Sequence, residues 1–166
     1  MKKAVIFDID GTLAKISKNE DGTPKRDYSD YDKVDLDEPI NSMFEILKWY
    51  FSQTVLISGQ DKPYLDKVIF ITGRKELCRD KTLNWIDAEL KKSLYSLYLN
   101  SPFPKSWELC MRPDNDHRKA VELKKEIYET KIKGNYDVVM AFDDDPKVCK
   151  MYKEQGILTM QVMTKD

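Results

Sequence analysis

Short apolar runs alternate along the chain with longer segments in which apolar residues recur at helical spacing. The runs predict strands and the spaced segments predict helices. The predicted strands are residues 4–7, 54–57, 67–71, 107–111, 138–142 and 157–162. The predicted helices are residues 40–51, 76–90, 117–133 and a last one between Pro146 and Gly156. This alternation predicts an α/β fold with a doubly wound, mostly parallel sheet and helices on both faces.

Residues 15–38 interrupt the alternation. They are rich in Asp and Lys, contain Gly22 and Pro24, and show no periodicity. A connection of this length without elements of its own is usually either functional or disordered. We therefore expect one domain over residues 1–166, in which residues 15–38 form a flap insert and no larger cap is present.

Composition narrows the class of protein. The 166 residues carry 28 Lys and Arg against 29 Asp and Glu, a net charge of −1. A chain this balanced is not a general polyanion binder, so any nucleic-acid contact must be local. No apolar run approaches the ~20 residues of a membrane span, and residues 1–10 reach acidic positions too early for a signal peptide. Three scattered cysteines predict reduced, buried thiols and a cytoplasmic location.

Polar residues follow three of the predicted strands directly. Asp8, Thr72 and Asp143 each come after an apolar run. Right-handed crossovers bring the carboxyl ends of parallel strands to one edge, where such folds bind ligands. His117 is the only histidine, which excludes sites built on clustered histidines. The sequence therefore predicts carboxylate chemistry at this edge.

Paired carboxylates indicate a metal site. Asp8 and Asp10 lie two residues apart, and such close carboxylates repel each other unless a cation lies between them. Oxygen ligands without histidine suit Mg²⁺. A second acidic run starts at Asp143, and its last member, Asp145, is explained by the dipole of the helix that follows. The predicted Mg²⁺ ligands are Asp8, Asp10, Asp143 and Asp144.

Two apolar runs are followed by a hydroxyl residue and a glycine. Such a hydroxyl, with the neighbouring backbone N–H groups, can hold a phosphoryl oxygen. Thr72 is followed by Gly73 and Arg74 and leads directly into a helix, whereas Ser58 leads into a polar turn. We favour Thr72, and Ser58 is the alternative.

A lysine lies on the apolar side of the helix predicted over residues 117–133. Lys124 falls within the apolar stripe, and Lys119 and Lys125 lie at or beyond its edges. An inward lysine is costly unless it meets negative charge, so Lys124 is a candidate to neutralise aspartate and phosphate. The alternative is a lysine at the margin of the stripe whose amine reaches solvent.

Together these motifs resemble a known family. The D-x-D-G-T-L run, the strand-end Thr, the inward Lys and the strand-end D-D occur in the order found in the haloacid dehalogenase superfamily of phosphotransferases. The chain is more closely similar to the 3′-phosphatase domain of phage polynucleotide kinase/phosphatase, from Leu13-Ala14-Lys15 through Asp143-Asp144. The resemblance implies a Rossmann-like fold, with Asp8 as nucleophile and Asp10 as general acid/base. It also implies the following roles: phosphoryl binding by Thr72 and Lys124, substrate contacts by Gly73, Arg74 and, in the flap, Arg26, and Mg²⁺ binding completed by Asp143 and Asp144.

The implied activity is Mg²⁺-dependent removal of a 3′-phosphate from DNA or RNA ends, as in nucleic-acid repair, with no membrane or protein partner predicted. One departure is Ala120, which stands where the family has an acid, and Asp116 is a possible substitute. The chain also contains no G-x-x-x-x-G-K-[ST] motif, so the kinase half of such enzymes is absent from these residues. Two alternatives are a phosphatase of the same superfamily acting on mononucleotides or small metabolites, and a receiver-like phospho-acceptor domain.

Overall fold

Strands and helices alternate along the described residues. A computed structural model of the chain describes residues 1–54, 63–98 and 106–163. The strands are β1 (Lys2–Phe7), β2 (Ala14–Lys15), β3 (Glu38–Pro39), β4 (Lys67–Lys75), β5 (Trp107–Arg112), β6 (Tyr136–Asp143) and β7 (Thr159–Gln161). The α-helices are α1 (Asn41–Ser52), α2 (Arg79–Tyr98), α3 (Ala120–Ile127) and α4 (Pro146–Glu154). The predicted strand 54–57 falls almost wholly outside the described residues, and Ser58 lies outside them.

The main sheet has five parallel strands in the order β5-β4-β1-β6-β7. Alternate residues of β1 face opposite sides, so Val5 and Phe7 pack in the core under α1 and α2, while Ala4 and Ile6 pack in the core under α3 and α4. Both faces of the sheet are therefore buried, which explains why the strands read as continuous apolar runs. The predicted doubly wound α/β fold is confirmed.

Strand register brings the polar ends together. Phe7 at the end of β1 lies beside Phe70 of β4 and Phe142 of β6. The next residue, Asp8, donates its backbone N–H to the Phe142 carbonyl at 2.9 Å. Thr72 follows Phe70 by two residues and Asp143 directly follows Phe142. Both therefore lie near Asp8 at the carboxyl edge of the sheet.

The segment predicted as a flap is packed onto the rest of the chain. The short strands β2 and β3 pair in antiparallel fashion at its base. Between them a 3-10 helix, Tyr31–Leu36, places Val34 fully in the core. The indole N–H of Trp85 on α2 also donates to the Asp37 carbonyl at 2.8 Å. The insert thus lies against the sheet edge; the division of the chain into one domain with an insert stays a prediction.

Some boundaries differ from those predicted. β4 continues to Lys75 because Lys75 pairs with Arg112 after a register shift. The third helix begins at Ala120 rather than after Asp116, since the Asp116 carboxylate binds Arg112 and Arg118 instead of capping the helix. That helix continues into a π-helical segment, Tyr128–Ile132.

The cysteines are free and buried, as predicted; they are Cys78, Cys110 and Cys149. Burial raises the pKa of the Cys110 and Cys149 thiols to about 11, so both stay protonated near neutral pH. Over the described ranges, no helix is long and apolar enough to cross a bilayer.

Candidate active site

A buried lysine joins the ends of β1 and β6. Nζ of Lys124 donates to Oδ1 of Asp8 at 2.6 Å and to Oδ2 of Asp143 at 2.7 Å. All three side chains are at most 4% exposed. Lys124 comes from α3, whose apolar residues Leu123 and Ile127 pack against the sheet. The helix therefore carries the amine inward, and burial of its charge is offset by the two carboxylates.

Three carboxylates form an acidic group around this lysine. Oxygens of Asp8, Asp143 and Asp144 lie within 4.8 Å of one another. Burial raises the pKa of Asp8 and of Asp143, although Lys124 opposes the rise. Burial and the neighbouring Asp143 likewise raise the pKa of Asp144. One ammonium group does not compensate three carboxylates, so the group fits a divalent cation such as Mg²⁺.

Gly11 lies directly against this group. Its φ is 85°, a value that L side chains rarely adopt, and a Cβ at this position would collide with the Asp144 carboxylate. Glycine is therefore required for the turn after Asp10 and for the close approach to Asp144.

Asp10 faces a different set of partners. Its carboxylate accepts hydrogen bonds from Nη2 of Arg74 at 2.8 Å, from Nε of Arg74 at 3.0 Å and from Oγ1 of Thr72 at 3.0 Å. Burial raises the pKa of Asp10, but the charge and hydrogen bonds of Arg74 outweigh it and the pKa is lowered. Asp10 is therefore ionised in this arrangement. The acidic group does not include its carboxylate, so its place among the metal ligands stays a prediction.

A buried aspartate that sequence reasoning missed holds two arginines together. Asp37 accepts from Nε of Arg26 at 2.7 Å and from Nη2 of Arg74 at 2.8 Å, and it also pairs with Nη2 of Arg26. Arg26 reaches Oδ1 of Asp10 at 3.5 Å. The insert thus brings a second cation to Asp10. No other atom of the described residues pairs with Nη1 of Arg74, which is buried.

Arg112, at the end of β5, was also missed. Its Nε donates to the Gly73 carbonyl at 3.0 Å, and its Nη1 donates to the Arg118 carbonyl at 2.8 Å and to Asp116 at 3.3 Å. Arg112 thereby joins the chain after Thr72 to the loop before α3. Its position after an apolar strand is the signal that selected Asp8, and the same rule would have found it.

Ala120 stands where the family resemblance leads us to expect an acid, and Asp116 does not take its place beside Lys124. Ala120 lines the pocket one helical turn before Lys124. Asp116 pairs with Arg112 and Arg118 and does not contact Lys124. Asp116 therefore does not replace the acid expected at this position.

Asp8, Asp10 and Lys124 open into a pocket of about 360 Å³, whereas Thr72 is fully buried and does not line it. Tyr28 of the insert is 71% exposed at this pocket and Tyr31 is half-buried beside it. Burial and the Asp10 and Asp144 carboxylates raise the pKa of Tyr28, so its phenol is neutral. The pocket is lined by Asp8, Asp10, Arg26, Tyr28, Tyr31, Gly73, Arg74, Ala120, Lys124, Asp144 and Asp145.

Comparison with known proteins identifies the family. Residues 2–166 match the polynucleotide kinase PNKP phosphatase domain of the haloacid dehalogenase type. The chain belongs to this family of phosphatase domains. It is also 29% identical, over 165 residues, to a protein of Autographa californica nuclear polyhedrosis virus that bears the name of a bifunctional polynucleotide kinase/RNA ligase. That match covers 99% of this chain and 20% of the viral protein.

Solved structures agree with this family. A chain in a structure of the Pnkp1/Rnl/Hen1 complex is 28% identical, with a TM-score of 0.71, over 98% of this chain and 46% of the other. A chain of the Pnkp1/Rnl/Hen1 RNA repair complex is 28% identical, with a TM-score of 0.68, over 97% of this chain and 42% of the other. This chain thus spans less than half the length of each of these relatives. The predicted haloacid dehalogenase fold and family are confirmed.

Proposed function

We propose that this phosphatase domain hydrolyses 3′-phosphate groups at polynucleotide ends, through a phosphoryl-aspartate on Asp8, with Mg²⁺. The observation that carries the proposal is the placement of Asp8 and Asp10 at one pocket with different partners. Asp8 lies with Lys124 and the acidic group, and Asp10 lies with Thr72 and Arg74. Two carboxylates in different environments suit two different roles, nucleophile and proton carrier.

The nucleophile requires its charge to be offset. A phosphate monoester is itself anionic, so the Asp8 carboxylate can approach it only where positive charge neutralises both. Lys124 lies at 2.6 Å from Asp8 and can also meet a phosphoryl oxygen. Asp8, Asp143 and Asp144 would hold Mg²⁺, which when bound offsets the charge on the phosphoryl oxygens and orients them.

The first step forms the phosphoryl-aspartate. An Asp8 oxygen attacks phosphorus in line and the bond from phosphorus to the 3′-oxygen breaks. The leaving oxygen takes a proton from Asp10 and becomes the 3′-hydroxyl. The charge and hydrogen bonds of Arg74 lower the pKa of Asp10. When a bound phosphate accepts the hydrogen bonds of Arg74 instead, the pKa of Asp10 rises, so binding of substrate favours its protonated form.

The second step restores the enzyme. Asp10, now ionised, accepts a proton from water while the water oxygen attacks phosphorus. The acyl phosphate bond breaks, inorganic phosphate leaves and Asp8 is again a carboxylate. Gly73 and Arg74 also line the pocket and are further candidates to contact the phosphoryl group.

The substrate class rests on the family and on the insert. Arg26, Arg74 and exposed Tyr28 lie at one pocket, a combination that suits a phosphorylated nucleotide end. The relatives that bear the names of polynucleotide kinase and RNA repair proteins support a polynucleotide, RNA included. A receiver-like role is disfavoured because Asp10 gives the site its own proton carrier.

A substrate panel tests the proposal. We expect kcat/KM to be highest for a 3′-phosphorylated oligonucleotide, lower for a nucleoside 3′-monophosphate and lowest for a 5′-phosphorylated oligonucleotide. Asp8→Asn should abolish turnover with the fold intact by circular dichroism, and a chelator should do the same reversibly. Equal rates on the 5′-phosphate would favour a general phosphatase, and a long-lived phosphoryl-aspartate would favour the receiver-like alternative.

A further inference from the structure

A second, larger cavity lies beside the candidate active site. Its volume is about 630 Å³, within the range of cavities that bind small ligands. The first residues of α1, the β2–β3 ribbon and the ends of β6 and β7 enclose it. None of the roles assigned above uses this cavity.

One hydrogen bond joins the linings of the two cavities. The carboxylate of Asp144 belongs to the acidic group, whereas its backbone carbonyl accepts a hydrogen bond of 3.2 Å from Nε2 of Gln161, which lines the second cavity. The turn after Asp10 also leads into β2, whose residue Lys15 lines the second cavity. The linings of the two cavities are therefore in direct contact through Asp144 and Gln161.

The lining combines apolar surface with a few polar groups. Ile46 is 39% exposed and Met160 is 50% exposed, so apolar side chains of the wall face solvent. Thioether side chains adapt to flat surfaces of different shape. Asn41 and Ser42 add an amide and a hydroxyl group to the lining. Lys15, which pairs with Glu38 at 3.5 Å, is a cation in reach of the same space.

We infer that this cavity binds the nucleoside that precedes the terminal nucleotide of a 3′-phosphorylated polynucleotide. The inference rests on the proposed function and adds a subsite to it. The base would cover Ile46 and Met160, and Lys15 would meet the phosphodiester. The hydrogen bond from Nε2 of Gln161 to the Asp144 carbonyl would couple the subsite to Asp144 and so to the acidic group. Apolar contacts and a single cation do not distinguish one base from another. The subsite therefore favours longer substrates over shorter ones, whatever their sequence.

The test compares substrates of different length. In the wild-type chain, kcat/KM should rise from a nucleoside 3′-monophosphate to a 3′-phosphorylated dinucleotide and change little beyond a tetranucleotide. Met160→Glu places an anion in the subsite, and it should lower the ratio of kcat/KM for the tetranucleotide to that for the monophosphate about tenfold, as a weakened stacking contact would. The ratio within each variant cancels any general loss of activity.

Two further variants serve as control and second probe. Leu158→Glu introduces the same charge at an exposed residue just before β7 that does not line the cavity, and its ratio should equal that of the wild type. Lys15→Gln should make the salt dependence of the tetranucleotide reaction shallower by about 0.7 in the logarithmic slope, the value for one phosphate contact on a single strand.

Specific outcomes would overturn the inference. One is a wild-type kcat/KM that does not change with substrate length. Another is a ratio of kcat/KM for the tetranucleotide to that for the monophosphate that is equal in Met160→Glu and Leu158→Glu. A third is an effect of Met160→Glu on self-association alone, which would assign the cavity to a second copy of the chain. Failure of the wild type to hydrolyse any 3′-phosphate would instead overturn the proposed function itself.

Discussion

The carboxylate of Asp37 accepts a hydrogen bond of 2.8 Å from Nη2 of Arg74, and both side chains are buried. Because Asp37 also holds Arg26, one residue of the insert fixes two guanidinium groups beside Asp10. The insert is therefore tied to the strand-end residues through charge as well as through packing.

The first prediction follows from this contact. Asp37→Asn removes the negative charge and leaves two buried guanidinium groups without their shared partner. Loss of one member of a buried ion pair costs about 3–5 kcal/mol, so the free energy of unfolding should fall by that order and kcat/KM should fall with it. Urea denaturation and steady-state kinetics measure the two effects. Asp35→Asn, an exposed change in the 3-10 helix that ends just before Asp37, is the matched control and should behave like the wild type.

The burial of Asp37 could not be predicted from the sequence, unlike the positions of the strand-end residues. Asp8, Thr72 and Asp143 could be located because each follows a continuous apolar run, and the geometry of parallel sheets then brings them together. Asp37 lies in an aperiodic polar segment, surrounded by other acids, and no local pattern separates the buried acid from the exposed ones. Only the docking of Val34 and Trp85 fixes which carboxylate turns inward.

The strands and helices likewise divide into bounds that the local sequence predicts and bounds that depend on residues distant in sequence. β1 and β6 were predictable because both faces of each are covered, so their sequences are continuously apolar. The extension of β4 to Lys75 was not, because it depends on a register shift against Arg112, a partner distant in sequence. The start of α3 was predicted at residue 117 rather than at Ala120, because the pairing of Asp116 with two arginines is a tertiary contact that no local pattern shows.

A second prediction concerns the hydroxyl after the apolar run. Thr72 donates to Asp10 and accepts the backbone N–H of Arg74 at 3.1 Å, so Thr72→Ala should disturb both. A hydrogen bond to a charged group is worth about 1.5–3 kcal/mol, which corresponds to a loss of about 10- to 150-fold in kcat/KM. Thr72→Ser should restore most of the rate. Ser58→Ala should have little effect, and the reverse pattern would show that Ser58 is the phosphoryl-binding hydroxyl.

Two neighbouring acids just before α4, Asp144 and Asp145, should separate metal binding from folding. Asp144→Asn removes one carboxylate of the acidic group and should raise the Mg²⁺ concentration needed for half-maximal rate. Asp145 instead caps α4 by accepting the Lys147 N–H at 2.8 Å, so Asp145→Ala should cost about 0.5–2 kcal/mol of stability. Titration of activity with Mg²⁺ and thermal unfolding distinguish them. Equal Mg²⁺ requirements in the two variants would argue against Asp144 as a ligand.

A pH-dependent contribution to stability should come from Asp116. Hydrogen bonds from Arg118 lower the pKa of this carboxyl to about 2, below its usual value of 3.8. A pKa lowered by folding means that the contribution is present above pH 4 and is lost as the pH falls towards 2. The difference in unfolding free energy between the wild type and Asp116→Asn should therefore shrink over this range. A difference that stays constant between pH 4 and pH 2 would argue against this assignment.

The final prediction concerns Tyr28 and the terminal base of the substrate. Tyr28 is exposed at the pocket that holds Asp10 and Arg26, so its ring is free to stack on a base whose 3′-phosphate lies at Asp8. Each stacked base contributes about 1–3 kcal/mol, so Tyr28→Ala should raise KM for a 3′-phosphorylated oligonucleotide about 5- to 150-fold. Tyr28→Phe should keep the wild-type KM, because stacking needs the ring and not the hydroxyl. Tyr64→Ala removes an exposed tyrosine that lies against Lys3, at the amino end of β1 and away from the pocket, and should leave KM unchanged. A KM in Tyr28→Ala equal to that in Tyr64→Ala would mean that the insert contacts phosphate alone, since loss of Tyr28 leaves Arg26 and Arg74 in place.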